Sequence, residues 1–146
     1  QSVIQVFNKL NTNIESCTTH FIQRAMVDAI EGDPSGPDAI IDELRRRRDA
    51  AVAALNSIAG ISIAPPDSTF YLFPNVTRIM ENKGFTDVNQ LMEEALRETS
   101  VSFCTRNHFS RPMEDETEHY LRFAYSGITV EDINEGMAKL KQYFER

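Results

Sequence analysis

Cysteine is scarce: Cys17 and Cys104 are the only two in 146 residues. They stand far apart and form no metal-ligand spacing. One bridge between them stays open, but a disulfide-dependent scaffold has no support. The three histidines, His20, His108 and His119, are scattered without an HxxxH or Cys-His pattern, so neither a zinc site nor a catalytic triad is indicated. A P-loop and a GxGxxG fingerprint are both missing. No apolar run is long enough to span a bilayer, and no signal peptide opens the chain, so the expectation is no membrane and a reducing cytoplasm. A surplus of positive charge is also lacking. The net charge of −7 argues against a polyanion-binding surface, and no nucleic-acid partner is expected. The one basic run, Arg45-Arg46-Arg47-Arg48, lies in a helical pattern beside Asp42, Glu43 and Asp49, and reads as a solvated face with ion pairs of modest value. Repeats and low-complexity segments are absent.

What is present suffices for one domain with a real core: 41% hydrophobic and 25% charged residues, ordinary for a globular protein. The chain opens at Gln1 directly in helical pattern, without an initiator methionine, which leads us to expect a segment of a longer protein. Val3, Ile4, Phe7 and Leu10 make the first apolar stripe, and Asn11-Thr12-Asn13 is expected to break it. A second helix, capped by Ser16 or Thr18, carries Phe21, Ile22, Ala25, Met26, Ala29 and Ile30 and stops at Gly32. After the turn cluster Asp33-Pro34-Ser35-Gly36-Pro37, a long helix is expected over 37–59, with Gly60 ending it. Short strands are expected at 61–64, 69–73 and 100–104, the second apolar on both faces and therefore central. Helices are expected near 78–82, from Asp87 with Gln90 in a capping box, and from Thr129 with Asp132 in another. Residues 105–117 form a polar loop long enough to be functional. This order describes an α+β fold: a small, largely antiparallel sheet with helices on one face.

The most informative stretch is His119-Tyr120-Leu121-Arg122-Phe123-Ala124-Tyr125-Ser126-Gly127. It reads as a strand closed by Ser-Gly, with Leu121, Phe123 and Tyr125 on one face and Tyr120, Arg122 and Ala124 on the other. A buried guanidinium needs an anionic partner, and a carboxylate fits its planar fork with two parallel hydrogen bonds. A solvated surface arginine is the competing reading of the pattern alone.

Leu121-Arg122-Phe123-Ala124-Tyr125-Ser126, ahead of a C-terminal amphipathic helix, resembles the last strand of the class I/II, fold-type I pyridoxal-phosphate-dependent aminotransferases, of the aspartate or aromatic type. Thr69-Phe70-Tyr71-Leu72-Phe73-Pro74-Asn75-Val76 resembles that family's "GAFYLFP" strand, and the spacing between the two stretches fits. The resemblance covers nearly the whole chain, which would itself cover only the C-terminal portion of a family member. It implies a helical segment at 1–32 that belongs to or packs on an absent large domain, then the small domain at 33–146, with helix 37–59 linking the two.

By this resemblance Arg122 grips the α-carboxylate of an amino-acid substrate, and Phe70 lines the mouth of the site. For Phe70, a plain core position is the competing reading. Asn13 and Ser16 fall where the family approaches the cofactor phosphate of the partner subunit; turn and cap chemistry is the competing reading there. The implied function is amino transfer between an amino acid and a 2-oxo acid, with pyridoxal 5'-phosphate (PLP) as cofactor and a homodimer as the working unit. A lyase reaction such as β-elimination at a C–S bond, or an aminotransferase-like regulatory domain, are the alternatives. None of Lys9, Lys83, Lys139 or Lys141 stands in the family's Ser-x-x-Lys context, and no aspartate is placed for a pyridine ring. No catalytic residue is therefore expected in this chain, which on its own should be inactive and bind no PLP covalently. Two departures stand out. Ser68-Thr69 replaces Gly-Ala, and Thr105-Arg106, followed by Asn107-His108-Phe109, replaces the family's Pro-Gly. Arg106, His108 and Arg111 in that loop are either contacts for a carboxylate-bearing substrate or ordinary polar loop residues.

Overall fold

The computed structural model describes residues 2–111 and 115–146. The expected helix start at Gln1 and positions 112–114 of the 105–117 loop lie outside the described residues. The chain divides into two compact units, Gln1–Ala39 and Ile40–Arg146.

The first unit holds α1 (Ser2–Ile14), α2 (His20–Glu31) and the start of α3 (Ser35–Asn56). The break expected at Asn11-Thr12-Asn13 does not occur. The Thr12 hydroxyl donates to the Asn8 carbonyl at 2.8 Å and the Asn13 amide to the Lys9 carbonyl at 2.6 Å, so the competing polar groups bond back along the helix they were expected to end. α2 begins one turn-residue later than expected, with Thr19 at the N-cap and no side-chain cap bond. Both helices carry the predicted apolar stripes, yet neither has a buried residue; Phe7 is 62% exposed and Phe21 70%.

The second unit contains the core. Its sheet has the order β1 (Tyr71–Leu72), β3 (Leu121–Ala124), β2 (Cys104–Thr105), antiparallel throughout. The segment expected at 69–73 to be central is therefore an edge strand, and the arginine-bearing strand is the middle one. The reason is that the two apolar faces of 69–73 serve different purposes. Leu72 enters the core, while Phe73 is exposed on the opposite face. The strand expected at 61–64 is reduced to a single bridge, Ser62 to Asn75.

β3 alternates as its residue pattern requires. Leu121 and Phe123 are buried, Arg122 is half-buried and Ala124 exposed. Onto the buried face pack Ala51, Val52 and Leu55 of α3, Ile79 and Met80 of α4 (Thr77–Lys83), Leu91 and Ala95 of α5 (Val88–Thr99), and Ile133, Met137 and Leu140 of α6 (Val130–Phe144). Helix ends follow local chemistry. Gly84 stops α4 in the left-handed region at φ 72°, where a Cβ is disfavoured. Thr129 and Asp132 form the expected capping box of α6, with the Thr129 hydroxyl accepting from the Asp132 N–H at 3.1 Å. At α5 the Asp87 carboxylate accepts from Asn89 N–H at 2.9 Å, not from the position of Gln90. α3 ends at Asn56, ahead of Gly60, whose φ of 90° turns the chain against Ile79.

The basic run is only half solvated. Arg45 pairs with Asp42 at 2.6 Å and Arg46 with Glu43, both on the surface. Arg47 is mostly covered and donates to the Ser126 carbonyl just past β3, and Arg48 donates to Pro66 at 3.4 Å. These two arginines tie α3 to the loops flanking β1 and β3.

Tyr143 sits in the core with its hydroxyl donating to Glu94 at 2.8 Å, and burial together with that carboxylate pushes its phenol above the ordinary tyrosine value. A raised folded-state value stabilises the fold fully below the unfolded value of about 10, and the contribution is lost as pH climbs above it. Thermal unfolding followed from pH 8 to 12 should show stability falling above pH ~10, and Tyr143→Phe should make that fall shallower. Identical slopes in the two proteins would mean that Tyr143 does not carry this pH dependence.

Candidate functional site

The outward face of the sheet is built by pairing. Tyr71 lies opposite Ala124 and Cys104 opposite Arg122, so Tyr71, Cys104 and Arg122 share the face turned away from the core. Phe73 and Tyr120 stack nearby with centroids 5.1 Å apart and rings parallel. The Tyr120 hydroxyl donates to Glu118 at 2.6 Å, and that carboxylate pushes the phenol upward.

Arg122 sits in the middle of this face between two rings. Its Cζ is 4.3 Å from the Tyr71 ring centre and 4.0 Å from that of Phe109. Its Nη2 lies 3.9 Å from Cys104 Sγ, a weak sulfur contact. Among the described residues no carboxylate forms an ion pair with it, whereas Arg45, Arg46, Arg47, Arg48, Arg106 and Arg146 each have one. A half-buried guanidinium held by aromatic faces and left without an anion is a ready receptor for a planar carboxylate.

Phe109 reaches Arg122 from the loop after β2. Thr105 is fully buried and donates from Oγ1 to Asn89 at 2.9 Å, with His108 Nδ1 2.8 Å from the same oxygen. A single 3-10 turn, Arg106–His108, follows. Arg106 pairs with Glu116 at 2.8 Å and donates to the carbonyls of Ser110 and Arg111 at 3.1 and 2.9 Å. Arg106 and His108 are thus occupied in shaping the loop, and Arg111 is exposed.

Phe70 is 38% exposed, not a core residue; its ring lies 4.5 Å from Tyr71 and its carbonyl accepts from Tyr125 N–H at 3.1 Å. It borders a cleft of about 330 Å³ with Arg45, Arg48, Asp67, Thr69 and Tyr125. Thr69 holds a φ of 68°, with its carbonyl accepting the Tyr125 hydroxyl at 2.8 Å. Asn13 and Ser16 lie in the first unit, and their side chains bond to the α1 carbonyls of Lys9 and Thr12. A larger cleft of about 400 Å³, lined by Val101, Phe123, Ile128 and Gly136 among others, lies elsewhere, over the ends of α5 and α6. Among the described residues no group of three His, Cys, Asp or Glu is placed to hold a metal ion.

Two residues of the site escape sequence reasoning. Tyr71 could have been found from period-two alternation, because it shares Arg122's face once β1 and β3 pair. Phe109 carries no such signal, since it belongs to no strand or helix.

Comparison with known proteins gives a single answer. The chain is 26% identical over 144 residues to an asparagine–oxo-acid transaminase of Streptococcus mutans, covering 99% of this chain and 35% of that protein. It is 30% identical over 145 residues to a probable aspartate/prephenate aminotransferase of Aquifex aeolicus, covering 97% and 34%. Among solved structures, an alanine aminotransferase from Pyrococcus furiosus superposes with a TM-score of 0.81 at 22% identity, over 98% of this chain and 34% of that one. Over nearly its whole length the chain is similar to about a third of each of these aminotransferases. It spans about a third of the length of the curated relatives it matches. No protein-family model matches it. The α+β architecture, with a three-stranded antiparallel sheet and six helices among the described residues, is that of the C-terminal domain of aminotransferase structures.

Replacing Arg106 with Gln should loosen the loop that presents Phe109 while leaving the core intact. Amide exchange at residues 107–111 is expected to quicken by at least about tenfold, the scale of a lost hydrogen-bonded ion pair. Unchanged protection there would show that the loop is held by other contacts.

Proposed function

We propose that the protein takes part in amino transfer between an amino acid and a 2-oxo acid, and that Arg122 of this chain receives the substrate's α-carboxylate. The observation that carries the proposal is the bracketed guanidinium with no carboxylate partner, on the outer sheet face and within the stretch that resembles the family's last strand. Two parallel N–H···O bonds from the fork would hold the carboxylate in one plane. That fixes the direction of the bonds at the substrate's Cα, a positioning contribution to catalysis. Phe70, whose ring lies 4.5 Å from that of Tyr71, is proposed as a wall of the substrate mouth.

Aminotransferase relatives imply dependence on PLP in the family. The described residues do not form a seat for it. Lys83 lies over the Tyr143 ring at 4.2 Å, Lys139 pairs with Glu135 at 2.6 Å, and Lys141 donates to the Ser57 carbonyl at 2.7 Å. Lys9 stands on exposed α1 with no acidic group provided for a pyridine ring. We infer that an additional domain holds the cofactor, and that this domain or a second copy of the protein covers the apolar stripes of α1 and α2. A homodimer would allow Asn13 and Ser16 to approach a partner's cofactor phosphate. A cytoplasmic location fits a chain in which no described helix is long and apolar enough to cross a membrane.

Two outcomes test this. The full-length gene product, supplied with PLP and 2-oxoglutarate, should transaminate members of an amino-acid panel. Arg122→Lys should then lower kcat/KM by about 100-fold or more, ~3 kcal/mol, because an ammonium cannot make the paired bonds. Unchanged kinetics would make Arg122 structural, and PLP binding without transamination would favour lyase chemistry or a regulatory role. This chain alone, incubated with PLP and borohydride, should yield no site-specific lysine adduct on peptide mapping; a single stoichiometric adduct would overturn the inference of a separate cofactor domain.

A further inference from the structure

We propose that Phe109 is a positioning residue for Arg122: with Tyr71 it closes both faces of the guanidinium, leaving only the hydrogen-bonding edge for a ligand. The inference deepens the carboxylate-receptor reading and rests on it.

A guanidinium is a flat plate with donors around its rim and two faces that stack on aromatic rings. At Arg122 the Cζ lies 4.3 Å from the Tyr71 ring centre and 4.0 Å from that of Phe109, the distances at which a ring covers a guanidinium. Swinging the head group to either side would require displacing a ring. The plate is thereby held in one plane, and an anion can meet it only edge-on, with two oxygens in that plane. Part of the rim faces Cys104 Sγ at 3.9 Å, too weak a partner to satisfy it.

The two rings are held by different means. Tyr71 is fixed by its strand, through pairing with Ala124 and contact with Phe70. Phe109 is on no strand or helix. It is placed by the turn Arg106–His108, by its own N–H donating to the Arg106 carbonyl at 3.1 Å, and by the Arg106–Glu116 pair beneath. Core packing does not account for its position, because the side chain is 48% exposed. The ring, left largely in water, lies 4.0 Å from Arg122 Cζ and, more loosely, 6.4 Å from the His108 ring. The loop departs from the Pro-Gly that the resemblance leads one to expect at Thr105-Arg106, three residues ahead of the ring.

The test uses the full-length gene product with PLP for kinetics, and propionate as a non-reacting carboxylate probe. Phe109→Leu keeps bulk and removes the aromatic face. It is expected to raise the amino-acid KM and the propionate inhibition constant by about tenfold, with a smaller change in kcat, and Phe109→Trp should restore both. In the same proteins the Arg122 Nε–Hε resonance, shifted by ring currents in the native protein, should move toward the free-arginine position in Phe109→Leu and return in Phe109→Trp. Because Phe109 is half exposed, the Leu variant should retain its native circular dichroism. The proposal requires both effects. An unmoved Arg122 resonance, or an unchanged propionate constant, overturns it. Arg122→Lys separates this failure from that of the underlying reading: if Arg122→Lys weakens propionate while Phe109→Leu does not, only the positioning role falls; if neither does, the carboxylate receptor falls as well.

Discussion

An arginine in the middle strand of a small sheet imposes a condition on everything around it. A guanidinium keeps its charge in any aqueous environment a protein meets, so the strand that carries it can be buried on both faces only if an anion is buried with it. The second unit meets that condition by dividing β3. Leu121 and Phe123 turn inward against four helices, and Arg122 turns outward. The neighbouring strands then supply what the outer face needs. β1 brings Tyr71, β2 brings Cys104, and the loop beyond β2 brings Phe109. The result is a half-buried cation between a strand tyrosine and a loop phenylalanine, with no ion pair among the described residues.

Much of this was legible in the residue pattern, and the parts that were not have physical causes. The alternation of β3 is read from Leu121, Arg122 and Phe123 because a half-buried strand has a period of two. The ends of α4 and α6 are read from Gly84 and from Thr129 with Asp132 because caps are local chemistry. The order of strands was not legible: 69–73 is apolar on both sides, which ordinarily marks a central strand, yet here Leu72 enters the core and Phe73 is exposed on the outer face. The persistence of α1 through Asn11-Thr12-Asn13 was missed because those side chains have two ways to satisfy themselves, and only the fold shows which is taken. Phe70 and Phe109 show the limit most sharply. An exposed aromatic and a buried one look alike in a sequence, and a loop residue's place over a distant arginine depends on bonds such as Arg106–Glu116 that have no periodic signature. Arg122 itself was raised from one of many arginines to a candidate by the resemblance of its neighbours, not by periodicity.

The two units raise different physical questions. In the second, apolar burial is ample, and among the described residues no fully buried side-chain nitrogen or oxygen lacks a hydrogen-bond partner. In the first, α1 and α2 keep strong apolar stripes with no buried residue. Stripes of that size are unfavourable in water and gain their stabilisation from a covering surface. The chain spans about a third of its relatives' length, which fits such a surface being supplied by further protein.

The most direct measurement is a crystal structure of the full-length gene product grown with a non-reacting carboxylate such as propionate. The account requires both carboxylate oxygens to lie about 2.7–2.9 Å from the edge nitrogens of Arg122, in the plane between the Tyr71 and Phe109 rings. An Arg122 paired instead with an aspartate or glutamate of the protein, with the carboxylate bound elsewhere, would contradict it.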